Sequence, residues 1–173
     1  NYARGYFQET VAKVYPVYQK ILKDNLALDF DDLILKTVNL FKANPLVLSK
    51  YQNKFRYILV DEYQDTNHAQ YQLTKMLSEK YKNISVVGDF SQSIYSFRGA
   101  DFQNLSKFKE DFKDVKTFSL SQNYRSTQKI LDAASSVISR NTSHPILSLW
   151  TENQKGEDLT IYQAGSEHEE AEF

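Results

Sequence analysis

Two acidic side chains directly follow a short apolar run in the first half of the chain. Residues 57–60 read Tyr-Ile-Leu-Val, and Asp61 and Glu62 come next. A carboxylate in this position can hold Mg²⁺, directly or through water, because Mg²⁺ binds one or two carboxylates together with substrate phosphates. A second carboxylate beside it can orient or deprotonate a water that attacks a γ-phosphate. The alternative interpretation is that both side chains only lead the chain out into solvent.

A second apolar run, residues 84–87, ends in a similar way with Gly88 and Asp89. A glycine at a strand end lets the backbone turn sharply or approach a ligand closely. Gln92 follows three residues later, and its amide is suited to sensing a phosphate.

Two aromatic residues and an arginine come directly after this segment: Tyr95, Phe97 and Arg98. Aromatic rings beside a cationic group form the kind of surface on which the bases of single-stranded nucleic acid stack. The alternative is that Tyr95 and Phe97 are core residues of a short helix.

A third segment, residues 121–127, contains Arg125 at a predicted strand-to-helix turn. An arginine at such a turn can reach a phosphate in the manner of an arginine finger. The alternative is a surface arginine near the start of a helix.

The elements that must position these side chains alternate between strand and helix. Apolar and β-branched runs predict strands buried on both faces, whereas apolar residues at helical spacing predict helices. The strands are expected at 57–60, 84–87, 116–120 and 159–164, and the helices at 6–23, 30–41, 67–81, 101–112, 127–140 and from 167 onward. Pro16 either kinks the first helix or starts a new one, and Asn44-Pro45 is expected to end the second. This alternation predicts an α/β fold with a parallel sheet, in which ligands bind beyond the carboxyl ends of the strands.

Composition limits the classes of protein that the chain can represent. With 173 residues it can hold one domain or pieces of two. The formal net charge is −1, so nucleic-acid binding must depend on particular residues and not on a basic excess. The absence of cysteine is compatible with a reducing cytoplasm, and no apolar run approaches the ~20 residues of a membrane-spanning helix. The chain begins at Asn1 and ends in a helix that has just started, so we expect an internal fragment.

Together these segments resemble motifs of the superfamily 1 helicases of the UvrD/PcrA/Rep type. The matching stretches are VDEYQDTN at 60–67, VVGDFSQSIYSFRGA at 86–100, QNYRST at 122–127, LDFDDL at 28–33 and LWTEN at 149–153. They occur in the family order and with family-like spacing. The resemblance implies a RecA-like P-loop NTPase motor fold, a parallel sheet with flanking helices, that is incomplete in this fragment.

The resemblance also implies roles in nucleotide chemistry, with ATP and Mg²⁺ as cofactors. Asp61 matches the Mg²⁺-binding position, and Glu62 matches the catalytic base. Gln92 matches the glutamine that senses the γ-phosphate. Tyr124 matches the aromatic residue that stacks on adenine, and Arg125 matches an arginine finger contributed by the second motor domain.

For DNA binding, the resemblance implies that Tyr95 and Phe97 stack on single-stranded bases and that Arg98 links the DNA and nucleotide sites. Two positions depart from the common family pattern. Ser91 stands where an acidic residue is common, and Ser96-Phe97 replaces a frequent Gly-Phe or Arg-Trp pair. Phe97 keeps a π face, so stacking is retained.

The resemblance implies an ATP-dependent 3′→5′ helicase or translocase that acts on single-stranded DNA and duplex junctions in the cytoplasm, with no membrane and with repair or replication proteins as further partners. We expect residues 1–28 to end a helical accessory insertion, 29–113 to form the C-terminal half of the first motor domain, and 114–173 to begin the second. The five glycines contain no pair spaced as in the phosphate-binding Walker A loop, so the fragment alone is expected to be inactive. The alternatives are the helicase subunit of a helicase–nuclease recombination complex and a non-catalytic DNA- or partner-binding module.

Overall fold

The computed structural model describes residues 5–173, which divide into two compact units. The first unit comprises the described residues up to Asp89 together with Ser93–Phe112, and the second comprises Phe90–Gln92 together with Lys113–Phe173. The first four residues of the segment 1–28 lie outside the described residues. Over residues 5–173 the structure is mixed α/β, with seven α-helices and a two-stranded parallel sheet.

The elements follow one another in this order. The first unit contains α1 (Tyr6–Asp24), α2 (Phe30–Ala43), α3 (Pro45–Lys54), β1 (Ile58–Val60), α4 (His68–Ser78), β2 (Ile84–Val86) and α5 (Asn104–Asp111). The second unit contains α6 (Gln128–Ile138) and α7 (Glu167–Glu172). None of the helices in residues 5–173 is long and apolar enough to cross a membrane.

Pro16 and Pro45 lie at different kinds of position in the first three helices. Helix α1 runs on through Pro16, so a new helix does not begin there. Pro45 does follow the end of α2, but it is also the first residue of α3, a helix that the pattern did not predict. Proline suits the first helical position because its missing N–H would have no partner inside the helix.

Side-chain caps define the start of α4, directly after the acidic segment. Asn67 Oδ1 accepts a hydrogen bond from the Gln70 backbone N–H at 3.0 Å. Gln70 Oε1 accepts one in return from the Asn67 backbone N–H at 2.8 Å. This reciprocal capping box satisfies two N–H groups that the helix leaves unpaired, so α4 begins at a defined distance from Asp61 and Glu62.

The two strands pair in parallel, with Ile58 opposite Ile84 and Val60 opposite Val86. The expectation that β1 is buried on both faces is wrong, because Leu59 is 81% exposed while its neighbours are half-buried. Successive side chains of a strand point to opposite faces, so in this chain one face of β1 is covered and the other is open.

The strands expected at 116–120 and 159–164 are not formed among the described residues. Phe118 is 81% exposed and Ile161 is 95% exposed. What the second unit contains instead is an isolated parallel bridge between Gln122 and Trp150. A strand needs a neighbour to satisfy its backbone N–H and C=O groups, and an apolar run does not provide that neighbour.

The core of the first unit is aromatic and lies beside the acidic segment. Tyr63 is 1% exposed, and its ring centroid lies 5.8 Å from that of Phe108 and 6.4 Å from that of Tyr71. Burial raises the pKa of Tyr63 to about 12, with a smaller contribution from the charge of Asp111. The residue that follows Glu62 is therefore anchored in the core.

Candidate functional site

The two parallel strands end side by side and bring their following segments together. Beyond the strands, the Val87 N–H donates to the Val60 carbonyl at 2.9 Å, and the Tyr63 N–H donates to the Val87 carbonyl at 2.9 Å. These bonds continue the ladder past β1 and β2. Asp61 and Glu62 therefore leave the sheet beside Gly88, at the edge where parallel sheets bind ligands.

Glu62 has an unusual backbone conformation. Its φ is 49° and its ψ is 43°, in the left-handed region, which costs a non-glycine residue on the order of 1–3 kcal/mol and is common at functional sites. The Glu62 backbone N–H donates to Asp61 Oδ1 at 2.9 Å. Both side chains are exposed, so the turn presents two carboxylates to solvent.

The side chain of Gln64 connects the segments that follow β1 and β2. It is fully buried, and its Nε2 donates to Glu62 Oε2 at 2.7 Å. Its Oε1 accepts from the Asp89 backbone N–H at 3.1 Å. Gln64 was not among the residues predicted for the site, although a glutamine that follows two carboxylates in the same turn is the signal that could have identified it.

Gly88 leaves the space that this arrangement requires. A Cβ atom at Gly88 would lie 2.8 Å from Gln64 Oε1 and 3.3 Å from the Gln64 backbone nitrogen. It would also lie 3.2 Å from Leu105 Cδ2. A glycine is needed at position 88 because Gln64 approaches its backbone closely.

A surface cavity of about 370 Å³ opens over this turn. Asp61, Glu62 and Asp65 line it, together with Thr66, Gln70 and Thr74 among others. Asp65 Oδ1 is buried and has no hydrogen-bond partner. A larger hollow of about 820 Å³, lined by Pro16, Leu28 and Lys36 among others, contains none of the predicted site residues.

Tyr95, Phe97 and Arg98 form one group on the surface of the first unit. The two ring centroids lie 6.1 Å apart with the rings tilted by 47°. The Arg98 guanidinium carbon lies 5.5 Å from each ring centroid, within the range of cation–π attraction. Phe97 is 77% exposed and Tyr95 is 39% exposed, so the interpretation of Phe97 as a core residue does not hold in this structure.

Short contacts connect this group to the acidic segment. Asn104 is 1% exposed and donates from Nδ2 to the Thr66 carbonyl at 2.9 Å. The Asp101 backbone N–H donates to the same carbonyl at 3.1 Å, and Asn67 and Ala100 form an antiparallel bridge. Hydrogen bonds therefore join residues 66–67, which follow the carboxylates, to residues 100–104, which follow the aromatic group.

In the second unit, Tyr124 and Arg125 lie on an exposed loop whose backbone is held by asparagine side chains. Asn123 Oδ1 accepts from the backbone N–H groups of Arg125 at 2.9 Å and Ser126 at 2.7 Å. Tyr124 is 78% exposed, and its hydroxyl donates to Gln122 Oε1 at 2.8 Å. The loop keeps both side chains on the surface.

The LWTEN segment lies against this loop. Asn153 Nδ2 donates to the carbonyls of Tyr124 at 3.2 Å and Ser126 at 3.0 Å. The Asn123 N–H donates to the Trp150 carbonyl at 2.7 Å. Two motifs that are separate in the sequence are thus joined by hydrogen bonds.

Gln92 is exposed and ends the 3₁₀ turn Phe90–Gln92, which belongs to the second unit. In that unit the ring of Phe90 stacks on His144, with centroids 5.7 Å apart. The structure thus groups Asp61 with Glu62, Tyr95 with Phe97 and Arg98, and Tyr124 with Arg125.

Comparison with known proteins identifies the class. Residues 1–113 match the UvrD/REP helicase N-terminal domain, and residues 118–173 match the UvrD-like helicase C-terminal domain. The chain belongs to the UvrD/REP helicase family, which confirms the resemblance predicted from the motifs.

Curated relatives of the chain include ATP-dependent DNA helicases named PcrA. The protein from Leuconostoc citreum is 53% identical over 167 residues, which is 96% of this chain and 22% of that protein. The one from Staphylococcus aureus is 54% identical over 171 residues, 99% of this chain and 23% of that protein. The one from Staphylococcus epidermidis is 53% identical over 171 residues, 99% of this chain and 24% of that protein. The chain therefore spans less than a quarter of the length of these relatives.

Proposed function

We propose that the intact protein is an ATP-dependent DNA helicase that moves 3′→5′ on single-stranded DNA and separates strands at duplex junctions. Membership of the UvrD/REP helicase family supports the class of activity. The observation that carries the assignment of the nucleotide site is the turn after β1. There two exposed carboxylates follow a parallel strand, and Glu62 is held by a buried amide.

In this proposal Glu62 is the catalytic base for hydrolysis. Its carboxylate is exposed at the carboxyl end of β1, where an attacking water can reach it. The hydrogen bond from Gln64 and the left-handed backbone of Glu62 both limit its orientation. A base held within reach of its proton contributes on the order of 10²–10⁴ in rate.

The residues of the turn fit a bound Mg²⁺, with Asp61 as the residue that would hold it. The charged side chains that line the cavity are all carboxylates, and Mg²⁺ prefers oxygen ligands of this kind. The buried, unpartnered Asp65 Oδ1 beneath the same cavity adds negative potential there. A Mg²⁺ ion needs only one or two carboxylates from a protein, because it completes its shell with phosphates and water. When bound, the ion would neutralise charge on the phosphates of ATP.

For the second unit, we propose that Tyr124 stacks on adenine and that Arg125 acts as an arginine finger. Both side chains are exposed on a loop with an ordered backbone. We also propose that Gln92 senses the γ-phosphate. The support for these three roles is their position in the family motifs.

For DNA, we propose that Tyr95 and Phe97 stack on single-stranded bases and that Arg98 links this surface to the nucleotide site. The exposed rings and the guanidinium beside both of them support the proposal. The division of the chain into an accessory segment 1–28, a first motor domain 29–113 and a second motor domain 114–173, both RecA-like, belongs to the same proposal. The expected cytoplasmic location and the repair or replication partners stay predictions.

The proposed function is tested in the intact protein with Glu62→Gln. The amide keeps the shape of the side chain but cannot accept a proton, so ATP binding should persist while DNA-stimulated phosphate release falls by about 10²–10⁴-fold. Glu110→Gln, an exposed glutamate on α5, is the matched control and should leave turnover unchanged. Unaltered turnover in Glu62→Gln would remove Glu62 from catalysis. Binding of DNA and ATP with no turnover in the unmodified protein would favour a non-catalytic module.

A further inference from the structure

Gln64 makes two hydrogen bonds that join the ends of β1 and β2. Its Nε2 lies 2.7 Å from Glu62 Oε2 and its Oε1 lies 3.1 Å from the Asp89 backbone nitrogen. A carboxylate only accepts and a backbone N–H only donates, so these two partners fix which end of the amide faces which strand. A carboxylate in the place of this amide could not donate a hydrogen bond to Glu62, and an apolar side chain could bond neither to Glu62 nor to the Asp89 N–H.

Burial makes this arrangement rigid. Gln64 has no exposed surface. Gly88 lies so close to it that a Cβ atom at position 88 would be 2.8 Å from Gln64 Oε1. Its neighbours in the chain are also held, since Tyr63 lies in the aromatic core and the Asp65 N–H donates to the Glu62 carbonyl at 2.9 Å. Because rotation of the amide would break both bonds, Glu62 Oε2 has a fixed donor.

We propose that Gln64 is a positioning residue for the catalytic base: it orients the Glu62 carboxylate towards the attacking water and connects that orientation to the backbone at Asp89. This inference rests on the proposed function of Glu62. Gln64 is buried beneath the turn and acts through Glu62. A shift of the base by about 1 Å can cost on the order of 10²-fold in rate, so loss of this hydrogen bond should be seen in kcat.

The test is a double-mutant cycle in the intact protein. Gln64→Met has a similar length and no strong donor or acceptor, and DNA-stimulated ATP hydrolysis and its KM are measured with and without Glu62→Gln. We expect Gln64→Met to lower kcat by about 10–10²-fold and to change the KM for ATP by less than about 2-fold. In the Glu62→Gln background the same change should have little further effect, because residues that act as a unit are not additive.

Gln52→Met is the matched control. Gln52 Nε2 also makes a partly buried hydrogen bond, to the Met76 carbonyl at 2.7 Å, but this bond joins α3 to α4 and includes no residue of the strand ends. It should lower the melting temperature without changing kcat. If Gln64→Met does not fold, Gln64→Glu keeps an acceptor for the Asp89 N–H. It removes the donor to Glu62 and the longer, 3.5 Å bond to Asp65 Oδ2, and it adds a carboxylate to the buried site, so kcat should fall at least as far.

The outcomes separate this inference from the function on which it rests. An unchanged kcat in Gln64→Met and Gln64→Glu would overturn the positioning role, as would an equal fall in both backgrounds, because Gln64 would then act independently of Glu62. If Glu62→Gln itself left turnover unaltered, the proposed function of Glu62 would fail, and the role of Gln64 would fail with it.

Discussion

Asn153 donates a hydrogen bond from Nδ2 to the backbone carbonyl of Tyr124 at 3.2 Å. A second bond from the same amide reaches the Ser126 carbonyl at 3.0 Å. The two bonds lie on either side of Arg125, so one side chain of the LWTEN segment holds the loop that presents both proposed nucleotide-binding residues.

Removal of this amide should therefore impair nucleotide binding. In the intact protein, Asn153→Ala leaves the carbonyls of Tyr124 and Ser126 without this donor, and we expect the KM for ATP to rise and kcat to fall, each by up to about 10-fold, the factor that corresponds to 1.4 kcal/mol. Steady-state hydrolysis measures both. Asn141→Ala is the control, because Asn141 caps an exposed turn of the same unit at Ser143. Unchanged KM and kcat in Asn153→Ala would show that the loop does not need this support.

Phe97 should hold DNA through stacking, and Phe97→Ala should weaken single-stranded DNA binding by about 1–3 kcal/mol. The slope of log affinity against log salt should stay nearly constant, because that slope reports phosphate contacts. Because the ring is 77% exposed, the melting temperature should change little. Binding titrations over a range of salt concentrations measure the first two quantities.

Phe97→Trp is the matched control for this prediction and should bind at least as well as the unmodified protein. Basal ATP hydrolysis should persist in Phe97→Ala, whereas its stimulation by DNA and strand separation should fall. A large loss of stability, with DNA affinity intact in the folded fraction, would instead assign Phe97 to packing in the intact protein.

Gly88→Ala should lower both stability and turnover. The added methyl group would lie 2.8 Å from Gln64 Oε1 and 3.3 Å from its backbone nitrogen, and overpacking of this kind costs about 1–3 kcal/mol. Thermal unfolding and phosphate release of the intact protein measure the two effects. Gly165→Ala is the control, since there the new atom meets only the flexible Glu169 side chain. A fully active and stable Gly88→Ala would show that the strand ends have room to move.

The ion pair between Lys75 and Asp111 should make stability depend on pH in the acid range. Lys75 Nζ lies 2.6 Å from Asp111 Oδ1. The hydrogen bond from Lys75, followed by that from the Tyr71 hydroxyl, lowers the pKa of Asp111 below 3.8. A lowered native pKa means that the stabilisation is present above about pH 3.8 and is lost as the pH falls through the native pKa.

Asp111→Asn should remove this part of the acid dependence and cost about 1 kcal/mol at neutral pH, since the pair is partly exposed. Asp158→Asn is the control, because the Asp158 side chain in the Lys129–Asp158 pair is 95% exposed. The free energy of unfolding of both variants is measured between about pH 2 and pH 7, the range that contains the titration of carboxylates. Identical pH profiles for Asp111→Asn and the unmodified chain would contradict the assignment.

The 173-residue chain by itself should not hydrolyse ATP. Its five glycines include no pair with the spacing of a Walker A loop, so Asp61 and Glu62 have no γ-phosphate held in place beside them. Phosphate release by the purified chain, with Mg²⁺ and single-stranded DNA, is the measurement. Turnover that Glu62→Gln abolishes would contradict the prediction, whereas turnover that survives this change would come from a contaminant.

Local signals in the sequence predicted the elements that depend on local interactions. Apolar residues at helical spacing placed α2, α4 and α6 to within a few residues, and the helix expected from 167 onward is α7. These helices satisfy their own backbone groups, so their pattern is sufficient to locate them. Helix α3 was missed because Pro45 was interpreted as an end, whereas proline at a first helical position also marks a beginning.

The sequence by itself determined which side chains can do chemistry and, through the order of its motifs, the family to which the chain belongs. It also located the paired strands β1 and β2, which precede Asp61 and Gly88 in the sequence. The tertiary structure alone decided the rest: that Gln64 reaches both strand ends, that Asn153 holds the Tyr124 loop, and that the apolar runs at 116–120 and 159–164 stay unpaired in this chain. The physical reason is that a strand or a bridging amide is completed by a partner distant in the sequence, and the type of a residue does not specify which distant atoms will lie within about 3 Å of it.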